Sequence, residues 1–208
     1  MQEMPLLVFT LLEQTAVGAF AALAALRLAG KAGEGKVAFK IGLTVFAMSV
    51  VAMGASMFHL GQPLRAVNVL FGMGSSWLSR EILFFGLFAA CALVYALLER
   101  ADKAGAAKAV GVVGAVCGVM AIVSTAICYT QPGVPAWNSA WTPAQFALTA
   151  VACGIPLYGA LSATFGGVAA KRARAWWAAF AVLFVTQIAM RWMFFSDIVT
   201  LTSTLPTT

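Results

Sequence analysis

Among the polar side chains that interrupt the apolar stretches of this sequence are Glu13, Gln14, His59, Glu81, Tyr129 and Arg191. Polar and ionisable groups in an apolar setting are costly, so each is a functional hypothesis from the outset. A carboxylate placed as deep in an apolar run as Glu13 has to be neutral, paired or beside water. His59 is the one histidine of the chain, and an imidazole titrates near neutral pH. A few convergent polar groups set in apolar walls suit a small lipophilic ligand.

These residues must be positioned by elements that the composition defines. Of the 208 residues, 62% are hydrophobic and 10% charged, whereas a soluble domain carries about 25% charged residues. The apolar residues gather into six runs, near 5–29, 38–60, 79–98, 107–129, 143–166 and 175–195. A run of ~20 residues at ~1.5 Å rise matches the ~30 Å hydrocarbon core of a bilayer. Lipid offers the backbone no hydrogen-bond partners, so each run should close its own bonds as a helix. Ten-residue segments of alternating hydrophobicity, the mark of a membrane β-barrel, are absent. No connection is long enough for a soluble domain, and no internal repeat is visible. The expected fold is all-α: a polytopic bundle of about six transmembrane helices forming one domain over residues 1–208, embedded in the lipid bilayer.

Charge placement predicts the orientation. Arg27, Lys31, Lys36 and Lys40 flank the first connection, Arg100, Lys103 and Lys108 the third, and Lys171, Arg172 and Arg174 the fifth. Arg65, Arg80 and Arg191 fall on the other side. By the positive-inside rule the odd-numbered loops face the cytoplasm and both termini lie outside. The charges form no patch on a soluble face, which excludes a nucleic-acid partner. The opening MQEMPLLVF carries Glu3 and no Lys or Arg, unlike a secretory n-region, so the first run reads as a retained helix.

In this topology the polar candidates share the outer leaflet. His59 ends the second helix, Glu81 opens the third, Tyr129 closes the fourth, and Arg191 lies about one turn before the outer end of the sixth. Glu13 and Gln14 lie ~12 Å below the outer start of the first helix. The outer loops GQPLRAVNVLFGMGSSWL, with Arg65 and Asn68, and TQPGVPAWNSAWT are suited to roof a cavity. Each residue also has a structural reading. Glu81, just after Ser79 at a helix start, is favourable to the helix dipole, and His59 at the interface can simply be solvated. Arg65 and Arg80 can meet lipid phosphates. Arg191 can snorkel, and Trp137 and Trp141 read as interfacial anchors. Cys91, Cys117, Cys128 and Cys153 fall within helices with no Cys-x-x-Cys spacing, and read as packing residues rather than ligands of a metal or cluster. Gly111, Gly114 and Gly118 give the small-residue spacing of close helix packing. A bis-histidine haem needs two histidines, so no haem is expected in this chain.

The stretch SMFHLGQPLRAVNVLFGMGSSWLSREILFFGLF, residues 56–88, resembles the membrane-anchor subunit of dimethyl sulfoxide reductase. That family has a His-Leu-Gly-x-Pro-x-Arg-Ala segment leading into a Ser-x-Glu-Ile helix start, here His59 to Ala66 and Ser79 to Ile82. The opening PLLVFTLLEQTAVGAF including Gln14, the loop VPAWNSAWTP, and the ending with Arg191, Phe194 and Phe195 are similar to the family too. Members commonly have eight helices where this chain has room for six, and the likeness of the last helix implies that the difference is internal. A carboxylate at position 13 departs from the family pattern.

The resemblance implies an anchor in the cytoplasmic (inner) membrane of a prokaryote. It would hold an iron–sulfur electron-transfer subunit and a molybdopterin catalytic subunit on the outer face, and exchange menaquinol for menaquinone near that face. It assigns hydrogen-bonding and proton-accepting roles to His59 and Glu81. Gln14, Glu13, Arg65, Tyr129 and Arg191 complete the expected cofactor-binding set, with Arg191 pairing with Glu13 or Glu81, and no metal ligands are expected. Dimethyl sulfoxide, other S-oxides, N-oxides and inorganic oxyanions are equally compatible as terminal substrates. Three readings compete. A bare anchor predicts that the polar cluster tolerates substitution. A small transporter predicts polar residues in both leaflets and broken helices near the midplane, for which Pro156 is the one obvious candidate. A sensor or assembly factor predicts no metal-containing partners.

Overall fold

A computed structural model describes residues 4–57, 72, 74–130 and 137–203, with side chains described as far as 196. Among the described residues the protein consists of six α-helices: α1 (Met4–Leu28), α2 (Gly35–Met57), α3 (Trp77–Arg100), α4 (Ala104–Tyr129), α5 (Trp141–Phe165) and α6 (Ala170–Ser203). All six are long and apolar enough to cross a membrane. Most helices extend beyond their apolar runs: α3 and α4 begin two or three residues early, and α6 runs from 170 rather than 175 and on to 203. Hydropathy marks the lipid-matched stretch, while the backbone continues to pair with itself into the polar flanks. α5 passes through the buried Pro156 without a break, so it does not supply the broken helix that a transporter reading needs.

Three tight connections, 29–34, 101–103 and 166–169, lie at one end of the bundle, here termed the basic end. Each contains a residue of positive φ near its start, Gly30, Asp102 or Gly167. The following amide reaches back five residues: Lys31 to Leu26 at 2.8 Å, Lys103 to Leu98 at 2.9 Å and Val168 to Ala163 at 3.1 Å. This closure satisfies otherwise orphaned carbonyls at a helix end.

Helix α1 is the centre of the bundle, packing against α2, α4, α5 and α6. Of its most apolar stretch 72% is buried, against 17% for α6 at the periphery. The glycines of α4 set its approach to two neighbours at once: Gly114 meets Phe20 and Cys91, and Gly118 meets Val17 and Phe88. Side chains of α1 and α3 fill the space that the missing side chains leave. Lipid provides no hydrophobic drive between helices, so this close van der Waals contact holds them together.

The basic end is closed by one buried ion pair. Arg27 Nε donates to Glu99 Oε1 at 2.8 Å and Nη2 to Oε2 at 2.6 Å, while Nη1 reaches the Gly33 carbonyl at 3.3 Å. The Glu99 side chain is 1% exposed and that of Arg27 17%. Glu99→Ala is expected to cost about 3 kcal/mol by leaving a cation half-buried and unpaired, and the double change Arg27→Met with Glu99→Leu to recover most of it. Thermal unfolding of the two variants in detergent reads both effects.

Candidate functional site

At the opposite end, helix α3 starts at Trp77 under a Ser76 cap whose Oγ accepts the Ser79 amide at 3.3 Å. The cap places Glu81 in the second turn rather than the first, on the inward face and 3% exposed. A carboxylate held near the helix dipole for its own sake would sit in the first turn. Beside Glu81 opens a cavity of about 480 Å³, lined by Leu6 and Phe9 of α1, Ser56 of α2, Ser75, Trp77, Leu78 and Ile82, and by Cys128 and Tyr129 of α4. Its walls are mainly apolar, and its volume falls in the range of ligand pockets. Arg80 caps the rim, its guanidinium 4.2 Å from the Trp77 ring and donating to the Gly74 carbonyl at 3.0 Å.

A buried polar array runs inward from this wall. Thr125 and Cys128 of α4 adjoin the Glu81 carboxyl. The Thr125 hydroxyl lies 3.4 Å from both carboxyl oxygens of Glu13 and 3.0 Å from the Ala121 carbonyl. One residue along α1, Gln14 Oε1 accepts from Arg191 Nη2 at 2.7 Å, and the same nitrogen donates to Thr149 at 3.2 Å. Thr149 is in turn 2.7 Å from the Gln187 side-chain oxygen. The Arg191 guanidinium rests 4.1 Å over the Phe146 ring. Glu13, Gln14 and Thr125 are fully buried and Arg191 is 2% exposed, so the arginine does not snorkel. Among the described residues, Arg191 Nη1, Gln14 Nε2 and Gln145 Nε2 have no hydrogen-bond partner.

Tyr129 sits in an aromatic nest, its ring centroid 5.0 Å from Trp137, 5.6 Å from Phe146 and 5.8 Å from Phe195. Trp137 stacks on Phe194 at 5.2 Å and donates its indole N–H to the Phe194 carbonyl at 2.9 Å. It therefore ties the segment before α5 to α6, whereas Trp141 is 57% exposed.

Five expected site residues thus converge at one end of the bundle. Glu81 and Tyr129 line the cavity, whereas Glu13, Gln14 and Arg191 stand behind it. The hydrogen bonds of Arg191 run to Gln14 and Thr149 and not to either carboxylate. His59 and Arg65 lie outside the described residues. Sequence reasoning passed over Thr125, Thr149 and Gln187, which join the charged members into one array, and read Cys128 only as a packing residue. The signal that could have found them is helical spacing: Thr125 and Tyr129, and Gln187 and Arg191, are each four residues apart and share a face.

The family model described as "DMSO reductase anchor subunit (DmsC)" matches residues 1–204. The sequence is 36% identical over 173 residues to a component of the anaerobic dimethyl sulfoxide reductase of Escherichia coli, covering 80% of this protein and 59% of that one. It is 33% identical over 162 residues to the component of the same name from Haemophilus influenzae, covering 76% and 58%. It is also 29% identical over 137 residues to a component of the sulfite dehydrogenase of Allochromatium vinosum, covering 60% and 42%. The protein therefore spans less than two-thirds of the length of these relatives. No solved structure matches.

Proposed function

The chain belongs to the DMSO reductase anchor subunit family, and from that premise we propose that it anchors a molybdopterin oxidoreductase and oxidises menaquinol at the cavity beside Glu81. The carrying observation is a buried carboxyl in the wall of an otherwise largely apolar cavity of about 480 Å³. Such a cavity accepts a lipophilic ring, and the carboxylate offers its hydroxyl a hydrogen-bond acceptor. The asymmetry of basic residues supports placing this end on the outer side of a prokaryotic inner membrane. The partners, an iron–sulfur subunit and a molybdopterin catalytic subunit, dock there.

Oxidation of the quinol yields the quinone, two protons and two electrons. The electrons pass to the iron–sulfur subunit. His59 takes one proton, as an imidazole near neutral pH can, and Glu81 the other. Arg65 belongs to the same stretch of sequence as His59. Tyr129, backed by its aromatic nest, lines the same cavity as Glu81, and Gln14, Glu13 and Arg191 stand behind it. The names of the relatives support an S-oxide or a sulfur oxyanion as the substrate class of the complex, and the higher identity to the two reductase components supports quinol oxidation over quinone reduction.

The first test is the metal content of the complex that co-purifies with this protein in mild detergent. Molybdenum or tungsten and iron are expected in fixed proportion to it. A metal-free preparation that stays folded and monodisperse overturns the proposal.

A further inference from the structure

A second cavity, of about 260 Å³, opens between α5 and α6 at the same end of the bundle as the cavity beside Glu81. Ser139, Trp141 and Gln145 line one side of it, and Met190, Met193 and Phe194 the other. Its α6 side is apolar, and Met193 and Trp141 are 66% and 57% exposed, so it opens on the flank that faces lipid. Its α5 side supplies hydrogen-bond donors. Gln145 is 4% exposed, and its Nε2 has no hydrogen-bond partner among the described residues. α5 begins here with Ala140 as its N-cap, no side-chain cap bond and no acidic residue in its first turn. The positive end of a 25-residue helix is therefore left without a counter-charge from its own chain.

A cation stands behind the α6 wall. The Arg191 guanidinium lies 5.8 Å from the ring of Phe194, a lining residue. Its hydrogen bonds go to the neutral Gln14 and Thr149, and its Nη1 has no partner among the described residues. A buried charge calls for compensation, and attraction to an anion is strong where water is excluded. No acidic side chain is among the residues that line the cavity. Glu13 stands on the far side of α1, against Thr125 of α4. We propose that the cavity binds a phosphate group, carried by a phospholipid headgroup or free in solution. The site offers donors, a helix N-terminus and a nearby cation, which together suit a ligand whose oxygens only accept. The volume falls below the ~300 Å³ at which pockets for whole drug-sized ligands begin. It therefore takes a headgroup, and the acyl chains of a lipid would lie outside, along Met193.

The test uses the complete complex, stripped of lipid in mild detergent. Phosphatidylglycerol, a diacylglycerol with the same chains, and inorganic phosphate are titrated at fixed ionic strength. Thermal unfolding and native mass spectra read the binding, and neither depends on quinol turnover. Saturable binding of phosphatidylglycerol beyond that of diacylglycerol is expected. Gln145→Leu should weaken it about tenfold, the loss of one hydrogen bond to a charged group. Ser139→Asp places a carboxylate at the start of α5, where the helix dipole favours it, so the fold should hold while the phosphate is repelled by about tenfold or more. Should Gln145→Leu fail to assemble, Ser139→Asp decides alone. Lipid held by the lysines and arginines of the basic end is untouched by either change, so the difference between wild type and variant reads this cavity. Inorganic phosphate that competes with the lipid supports a site for the phosphate itself, open to the free anion. Lipid binding that inorganic phosphate does not displace, yet that both variants weaken, supports the headgroup as its source. Binding of phosphatidylglycerol no tighter than that of diacylglycerol, or equal in wild type and both variants, overturns the proposal.

Discussion

Glu81→Gln complexes that assemble normally should lose quinol-dependent turnover by a factor of about 10² or more, the usual cost of removing a proton acceptor from the reacting group. The amide matches the carboxyl in shape and so preserves the cavity and its contact with Cys128 and Thr125. What it removes is the capacity to take a proton. The effect should appear in kcat, since an interaction needed only as the proton leaves does not tighten ground-state binding. His59→Ala is expected to behave alike. The bare-anchor reading makes the opposite statement, that both variants assemble and turn over normally. Electron transfer from a soluble artificial donor to the catalytic subunit supplies the control, and it should be unchanged if only the quinol step is lost. Normal quinol turnover in both variants would remove the site from this cavity.

The spans were legible because length and hydropathy are local properties of a helix in lipid: each of the six runs lies largely within a helix, and the glycines of α4 pack as their spacing indicated. The centrality of α1 was not legible. A side chain facing lipid and one facing another helix are both apolar in a membrane protein, so hydropathy does not report which helix the others surround. The cap of α3 shows a similar limit: Ser79 and Ser76 are the same residue type three positions apart, and the choice of Ser76 puts Glu81 in the second turn rather than the first. The charged members of the array were readable because charge is expensive in lipid. Thr125 and Thr149 are cheap there, since Thr hydroxyls return to the carbonyl four residues back, as Thr125 does to Ala121 and Thr149 to Gln145. Only the packing of α1 against α4, and of α5 against α6, turns them into connectors.

The second large effect is expected at the crossing of α1 and α5. At Gly18 an added Cβ would fall 1.8 Å from the Ala150 carbonyl oxygen, and at Gly154 it would fall 2.5 Å from the Gly18 backbone. The obstacles are main-chain atoms, so no rotamer change makes room, and the two helices have to separate. Ordinarily Gly→Ala within a helix is favourable by about 0.5–1 kcal/mol. Gly18→Ala should invert that sign and destabilise by about 3 kcal/mol, at the upper end of overpacking costs, because the strain falls on two backbones. Gly86→Ala in α3, where an added Cβ meets nothing within 4 Å, is the matched control and should be neutral or mildly stabilising. Thermal unfolding of the complex in mild detergent compares the two directly. The loss at Gly18 should extend to turnover, because Gln14 lies one helical turn away and Thr149 is the neighbour of Ala150, and both hold Arg191. Moving α1 from α5 separates Gln14 from the Thr149 and Arg191 side and disturbs the Glu13–Thr125 contact on its other flank. A Gly18→Ala complex as stable and active as Gly86→Ala would mean that the contact between α1 and α5 does not position the polar array, and that α4 alone holds Glu13 against Thr125.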